Sequence, residues 1–92
     1  MIDEYYLYTF ESTHGAIATE QILKSLGCII MPVPRTVSSS CGISVRIEKD
    51  KIEEAKTLFA EKSELRPAEY RLLHITHDKS DKENGFHYDV CE

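Results

Sequence analysis

The run of residues 5–10 constrains the fold most, because its side chains favour a β-strand and are apolar or aromatic on both faces. The two faces would alternately carry Tyr6, Tyr8 and Phe10, and Tyr5, Leu7 and Thr9. A strand of this kind is typical of the interior of a sheet that is covered on both sides. Residues 5–10 therefore predict a central strand.

Signals for a helix and a second strand follow this run. Ser12 or Thr13 can cap the helix that follows, and Gly27 stands where a helix commonly ends. Residues 28–31 form a short apolar run before Pro32, which predicts a strand that ends there or lies at a sheet edge. An apolar stripe at helical spacing would face the core: Ala16, Ile17, Ile22, Leu23 and Leu26.

The second half of the chain repeats the order strand, helix, strand. Residues 43–48 alternate apolar and polar side chains, which indicates a half-buried strand. Asp50 and Glu53 resemble a capping box before a helix over residues 52–59. Residues 69–76 alternate again and predict a fourth strand.

The resulting order, β-α-β-β-α-β, is the pattern of the ferredoxin-like split βαβ fold. We predict an α+β ferredoxin-like sandwich over residues 1–76, with a four-stranded antiparallel sheet and two helices on one face. The other face would be open, so a homodimer or a larger partner would cover it. Residues 77–92 are charged and broken by glycine, and we expect a polar C-terminal tail with a small segment at residues 86–90.

Charge and composition exclude several classes of protein. The 92 residues carry a net charge of -5 without a basic cluster, so we expect no nucleic-acid partner. The longest apolar run, residues 28–33, is far shorter than a membrane span, so we expect no membrane partner. The first residues do not resemble a signal peptide, and three cysteines are an odd number for a disulfide scaffold. These features favour a cytoplasmic protein with reduced thiols.

The connection between the second and third predicted strands differs from the rest of the chain. It contains Pro32, Pro34, Arg35, a run of serines and Cys41, which is followed by Gly42. The segment is too polar to be core, and its composition is too specific for a simple linker. A thiol beside a glycine can be approached closely by a partner. We therefore expect the chemistry of the protein to lie in this loop.

Several of these motifs resemble the selenium/sulfur carrier protein-like family, a small domain of unknown function. The matching pieces are the turn over residues 9–16, Gly27, the Pro-Val-Pro-Arg run at residues 32–35 and the Ser-Ser-Cys-Gly-Ile run at residues 39–43. The resemblance covers about residues 5–59. It implies that Cys41 is a carrier thiol that holds the transferred atom as a persulfide or selenosulfide. It also implies donor and acceptor proteins as partners, and a carrier or accessory protein rather than an enzyme.

A carrier thiol must ionise near neutral pH, and a nearby cation or hydrogen-bond donors favour the thiolate. Arg35 lies in the same loop as Cys41, and Ser38, Ser39 and Ser40 could donate hydrogen bonds to the sulfur or to an anionic adduct. Gly42 would leave room for a partner. If the fold is ferredoxin-like, the turn formed by Ser12, Thr13 and His14 lies at the same end of the sheet, and we include it among the binding candidates. A plain helix cap with an exposed histidine remains the alternative for that turn.

Two other interpretations stay open. Cys41 and the serines could be an ordinary strand start and turn, in which case the loop would grip an anion or a partner in a non-catalytic interaction or ligand-sensing module. Cys28 is expected in the core, and Cys91 is either a resolving thiol or incidental. We expect no cofactor. His74, His77, His87 and Cys91 are residue types that bind zinc, but we expect no metal, because His74 and His77 would lie on opposite faces of a strand and the other two lie in the expected tail.

Overall fold

The structure, a computed structural model, describes residues 2–33, 42–78, 80–81 and 85–91. This part of the chain forms two α-helices and five strands, which confirms the α+β class. In chain order the elements are β1 (Ile2–Phe10), α1 (Thr13–Leu23), β2 (Ile29–Pro32), β3 (Ile43–Glu48), α2 (Ile52–Lys62), β4 (Tyr70–Asp78) and β5 (Phe86–Val90). Short 3-10 turns occupy Lys24–Leu26, Lys49–Lys51 and Pro67–Glu69.

The strands form one antiparallel sheet in the order β2-β3-β1-β4-β5. The strand predicted to be central, β1, lies between β3 and β4 as expected. The prediction of four strands is wrong, because β5 pairs with β4 from Leu73↔Val90 to His77↔Phe86. The turn between them is closed by a hydrogen bond from the Asp78 N–H to the Gly85 carbonyl, at 2.8 Å. Part of the segment expected to be a polar tail therefore extends the sheet.

Both helices pack on one face of the sheet, which we call the helix-bearing face. Tyr8 of β1 is at the centre of its core and stacks on Phe59 of α2, with ring centroids 4.8 Å apart. Burial raises the pKa of the Tyr8 hydroxyl to about 12, so this group stays protonated at neutral pH. The buried residues of this core are Tyr8, Phe10, Ala16, Leu23, Val45, Ile47, Ile52, Ala55, Phe59 and Leu72.

The opposite face, which we call the helix-free face, is not open at its centre. Tyr5, Leu7, Leu73 and Ile75 form a second core there and are at most 4% exposed in the single chain. The expectation that this face is open is therefore wrong, whereas a homodimer or a larger partner stays a prediction. Side chains from both edges of the sheet lean over these residues and pack against them, namely Met31, Val33 and Phe86.

The helix ends follow local chemistry in one case and depart from it in the other. The Ser12 side chain caps α1 as predicted, accepting a hydrogen bond from the Gly15 N–H at 3.2 Å. Gly27 ends the following 3-10 turn in the left-handed conformation, with φ of 78°. The capping box predicted at Asp50 is wrong, because that residue lies in the 3-10 turn Lys49–Lys51 and no side chain caps α2.

The predicted stripe of α1 needs one correction. Ile17 points to solvent and is 46% exposed, whereas Thr19 is fully buried. The Thr19 hydroxyl has no hydrogen-bond partner in the part of the chain that the structure describes. Helical spacing alone cannot decide which edge of an apolar stripe faces the sheet, and here the orientation of α1 favours the side that holds Thr19.

Candidate functional site

The candidate loop is the connection of a hairpin formed by β2 and β3. The pairing runs from Ile29↔Arg46 to Pro32↔Ile43. Beyond it the Val33 N–H donates to the Gly42 carbonyl at 3.1 Å. Residues 34–41 therefore start and finish at two hydrogen-bonded positions. Of the predicted site residues in this loop, Gly42 alone is among the described residues; the others, Arg35, Ser38, Ser39, Ser40 and Cys41, lie outside them.

Ser44 ties the two strands together at the base of this loop. Its side chain is fully buried, and its hydroxyl donates to the Met31 carbonyl at 3.0 Å. The sequence pattern places Ser44 among the polar side chains of a half-buried strand, so its burial was not expected. A serine two positions after a glycine, at the second residue of a strand, is the sequence signal that could have identified this anchor.

Gly42 has a positive φ of 72°. Residues with a Cβ adopt this left-handed region at a cost, whereas glycine does so freely. A Cβ built on Gly42 would meet no atom within 4 Å, so the requirement is for backbone conformation and not for space. The chain can therefore turn sharply into β3 directly after the position of Cys41 in the sequence.

The turn at Ser12 lies at the same end of the sheet as the hairpin loop, because Thr9 near the end of β1 pairs with Ser44 near the start of β3. The Ser12 hydroxyl is already engaged by the helix cap. Thr13 and His14 are exposed, and His14 lines a groove of about 560 Å³ between α1 and the segment after α2. The structure thus brings this turn to the correct end of the sheet, and its role in binding remains a prediction.

The groove beside His14 has mixed polarity. Its other lining residues are Ala18, Gln21, Ile22, Lys62, Ser63, Glu64, Leu65 and Glu69. One lysine faces two carboxylates, so the lining does not concentrate positive charge. The two carboxylates of Glu64 and Glu69 outnumber the ammonium group of Lys62, so this lining disfavours an anion.

Cys28 is unsuited to nucleophilic chemistry. It is partly buried against the core, and its thiol is 3.7 Å from the Glu20 carbonyl oxygen, to which it donates. Burial raises the pKa of the Cys28 thiol, and the negative charge of the nearby Glu20 carboxylate raises it further by a smaller amount. A thiol that resists ionisation reacts slowly at neutral pH. This geometry agrees with the core role predicted for Cys28.

Cys91 is exposed at the far edge of the sheet. Its N–H donates to the Leu72 carbonyl at 2.8 Å, directly after β5. Three strand spacings separate β5 from β3, or about 14 Å at roughly 4.8 Å per spacing. The base of the hairpin loop and Cys91 therefore lie about three strand spacings apart in the sheet, and a resolving role for Cys91 stays a prediction.

A charged cluster that sequence reasoning missed lies on the helix-bearing face, at the end of β1 that is remote from the loop. Glu4 is 2.6 Å from Nε2 of His74 and 3.1 Å from Nζ of Lys49. The hydrogen bond from Lys49 and, to a smaller extent, the hydrogen bond from His74 lower the pKa of the Glu4 carboxyl. The His74 ring also stacks on Tyr6, with centroids 4.8 Å apart. These contacts depend on the β1–β4 register, which no local signal predicts.

A second cluster lies on the helix-free face around Arg46. Its guanidinium is 4.0 Å from the centroid of the Tyr5 ring and forms ion pairs with Asp3 and Glu48. These contacts place the Arg46 guanidinium over a residue of the second core, Tyr5, and between two carboxylates.

The histidine pattern weighed in the sequence is dispersed by the fold. His74 pairs with Tyr6 on the helix-bearing face, whereas His77 pairs with Asp3 on the helix-free face. Among the described residues, no three side chains of His, Cys, Asp or Glu come together in an arrangement that could hold a metal ion. In the same part of the chain, no helix is both long and apolar enough to cross a membrane.

Comparison with known proteins gives a family. The model of the family described as "Putative Se/S carrier protein-like" matches residues 5–71, from β1 to the start of β4. Neither the curated proteins nor the solved structures contain a match. The matched region is most of the chain and includes both helices and the hairpin with its loop. The chain therefore belongs to the Se/S carrier protein-like family.

Proposed function

We propose that the protein is a carrier of sulfur or selenium and that Cys41 is its carrier thiol. The observation that carries this proposal is the hairpin base, where Val33 and Gly42 are joined by a hydrogen bond at 3.1 Å and Gly42 adopts φ of 72°. This base anchors an eight-residue connection, residues 34–41, at the end of the sheet. Family membership supports the same function.

The other two cysteines support the choice of Cys41 by elimination. Cys28 has a raised pKa and is partly buried, so it is a poor nucleophile. Cys91 follows β5 and lies outside the region that the family model matches. A thiol common to this family would therefore have to be Cys28 or Cys41, and the chemistry of Cys28 is unfavourable.

The proposed transfer is a thiol–persulfide exchange. The Cys41 thiolate attacks the outer sulfur of a donor persulfide, so that a new S–S bond forms on Cys41 while the S–S bond of the donor breaks. The donor leaves as a thiolate, and no external oxidant is needed. An acceptor thiolate then takes the outer sulfur from Cys41 by the same exchange. With selenium, the carried group would be a selenosulfide.

The remaining loop residues would favour the charged states of this exchange. Arg35 would stabilise the Cys41 thiolate and the anionic adduct, and Ser38, Ser39 and Ser40 would donate hydrogen bonds to them. Gly42 would keep side-chain atoms away from the approaching partner. We propose donor and acceptor proteins as the partners, because a carrier receives the atom from one protein and delivers it to another, and catalytic turnover lies in those two proteins.

We also propose the ferredoxin-like classification for residues 2–78. The first four strands and two helices follow the order β-α-β-β-α-β, with β1 and β3 as the inner strands of the four. The strand β5 is then an addition to one edge of that fold.

The proposed function is tested by persulfide loading. The reduced protein is incubated with glutathione persulfide, and each cysteine peptide is weighed for the gain of one sulfur atom. We expect loading of the Cys41 peptide in the wild type, in Cys28→Ser and in Cys91→Ser, and its loss in Cys41→Ser. Equal total loading of Cys41→Ser and wild type would contradict the proposal.

A further inference from the structure

The strand β5 is an edge strand whose outer side is unpaired in the part of the chain that the structure describes. Its pairing with β4 is flanked by hydrogen bonds from the Asp78 N–H to the Gly85 carbonyl and from the Cys91 N–H to the Leu72 carbonyl, both 2.8 Å. In an antiparallel ladder, alternate residues turn their backbone groups to the neighbouring strand. The backbone N–H and C=O groups that point to β4 therefore belong to residues 85, 87, 89 and 91. The backbone groups that point outward, away from the sheet, belong to Phe86, Tyr88 and Val90.

The sequence of β5 is complementary to itself when reversed. It reads Phe86, His87, Tyr88, Asp89, Val90. If a second β5 lies antiparallel with Tyr88 opposite Tyr88, then Phe86 lies opposite Val90 and His87 lies opposite Asp89. The outward backbone groups of Tyr88 are then in register for a hydrogen-bonded pair, and the ladder contains six new backbone hydrogen bonds.

The side chains match this register. Phe86, Tyr88 and Val90 share the helix-free face, as their pairing with His77, Ile75 and Leu73 shows. Tyr88 is 41% exposed and Val90 is 53% exposed, so apolar surface lies beside the free edge. His87 and Asp89 share the other face, where each imidazole would meet a carboxylate of the second copy. Opposite charges directly across a strand pair are favourable.

The two edge strands of the sheet, β2 and β5, differ in how well they are protected against pairing with another strand. At the other edge, β2 has only four residues and ends in Pro32, which has no N–H to donate. Short strands and prolines are the usual protection of an edge against pairing. The strand β5 has five residues, no proline and a complementary partner in its own reversed sequence.

We propose that the protein forms a two-fold symmetric dimer through β5, with Tyr88 of each copy opposite Tyr88 of the other. Such an isologous contact joins the two sheets into one antiparallel sheet of ten strands, with all four helices on the same face. The proposal does not depend on the carrier function, and β5 lies outside the region that the family model matches.

The first test is sedimentation over a range of concentrations, with Tyr88→Pro and Tyr88→Ala. We expect the wild type to dimerise reversibly and Tyr88→Pro to stay monomeric, because proline removes the central outward N–H. The N–H of residue 88 does not pair with β4, so Tyr88→Pro should melt within a few degrees of the monomeric wild type. Tyr88→Ala keeps the backbone donor and should still dimerise, although more weakly. A wild type that is monomeric at millimolar concentration, or a Tyr88→Pro chain that folds and dimerises as well as the wild type, would overturn the proposal.

The second test exchanges the charged pair and does not require a proline to be tolerated. His87→Asp should weaken the dimer roughly tenfold, because two pairs of facing carboxylates replace two His–Asp pairs. Combining His87→Asp with Asp89→His restores the complementary pairs and should recover most of the affinity. Asp89 also faces His74 of β4, so the melting temperature of each variant is measured in parallel. If the double variant is no tighter than His87→Asp, the register through Tyr88 is wrong.

Discussion

Replacing Gly42 by alanine perturbs the base of the candidate loop in a way whose magnitude can be worked out. At φ of 72° an added Cβ strains the backbone by about 1–2 kcal/mol. The reduced freedom of the unfolded chain returns about 0.4–1 kcal/mol. Since the new Cβ meets no atom within 4 Å, no packing contribution is added. We expect the free energy of unfolding to fall by about 1 kcal/mol.

Gly27 is a matched control for this substitution. Its φ is 78°, and a Cβ built there also meets no atom within 4 Å. Gly27→Ala should therefore lower the free energy of unfolding by about as much as Gly42→Ala does. In a domain of this size, a loss of about 1 kcal/mol corresponds to a decrease of about 4–8 °C in Tm. Gly42→Asn should recover part of the loss, because asparagine tolerates the left-handed region better than alanine.

Urea unfolding and the alkylation rate of Cys41 separate the two glycines. Both alanine variants should unfold at lower urea concentrations, with unchanged dependence on denaturant. Gly42→Ala should also change the alkylation rate of Cys41, whereas Gly27→Ala should leave that rate unchanged. If Gly42→Ala is as stable as wild type, or if both variants change the Cys41 rate equally, our account of the loop base is refuted.

Three further predictions concern stability and charge. Ile75→Ala should lower the free energy of unfolding by about 2–5 kcal/mol in urea titrations, because the Ile75 side chain is 0% exposed. Ile17 is 46% exposed, so the control Ile17→Ala should change that free energy by less than about 0.5 kcal/mol. Equal losses in the two variants would mean that the helix-free face is not a core. Thr19→Val should raise the same free energy by about 1 kcal/mol, because a buried hydroxyl without a partner is removed, and a loss would show that the hydroxyl is satisfied. The pKa of Glu4, measured by NMR, should be below its usual value and should rise in Lys49→Met. Because folding lowers this pKa, the Glu4 contacts stabilise the folded protein at pH values above the pKa of Glu4 in the unfolded chain. That stabilisation is lost as the pH falls through the pKa of Glu4 in the folded chain. An unchanged Glu4 pKa in Lys49→Met would contradict the contact at 3.1 Å.

The sequence predicted those features that depend on neighbouring residues. The Ser12 cap and the Gly27 terminus are local arrangements, and both formed as expected. The central place of β1 followed from its two apolar faces. The loop between β2 and β3 was recognisable from its composition alone, because prolines, serines, an arginine and a cysteine rarely share one short connection.

The features that sequence reasoning missed depend on register and on contacts between distant elements. The strand β5 follows a charged turn, and it becomes a strand only because β4 continues to Asp78 and offers it an edge. Ile17 and Thr19 lie two positions apart on α1 and so point to opposite sides of the helix, and the rotation of α1 about its axis decides which of them faces the sheet and is buried. The cluster requires Glu4 and His74, which are 70 positions apart in the chain, to meet diagonally across β1 and β4, where Glu4 itself pairs with Thr76.

The carrier function is tested most directly by the pH dependence of alkylation at each cysteine, resolved by peptide mass spectrometry. A loop that activates its thiol predicts that Cys41 reacts with an apparent pKa well below the ordinary value of about 8.5. Cys28 should react slowly and with a raised pKa, as its burial requires. An ordinary pKa and a slow reaction at Cys41 would contradict the proposed carrier thiol.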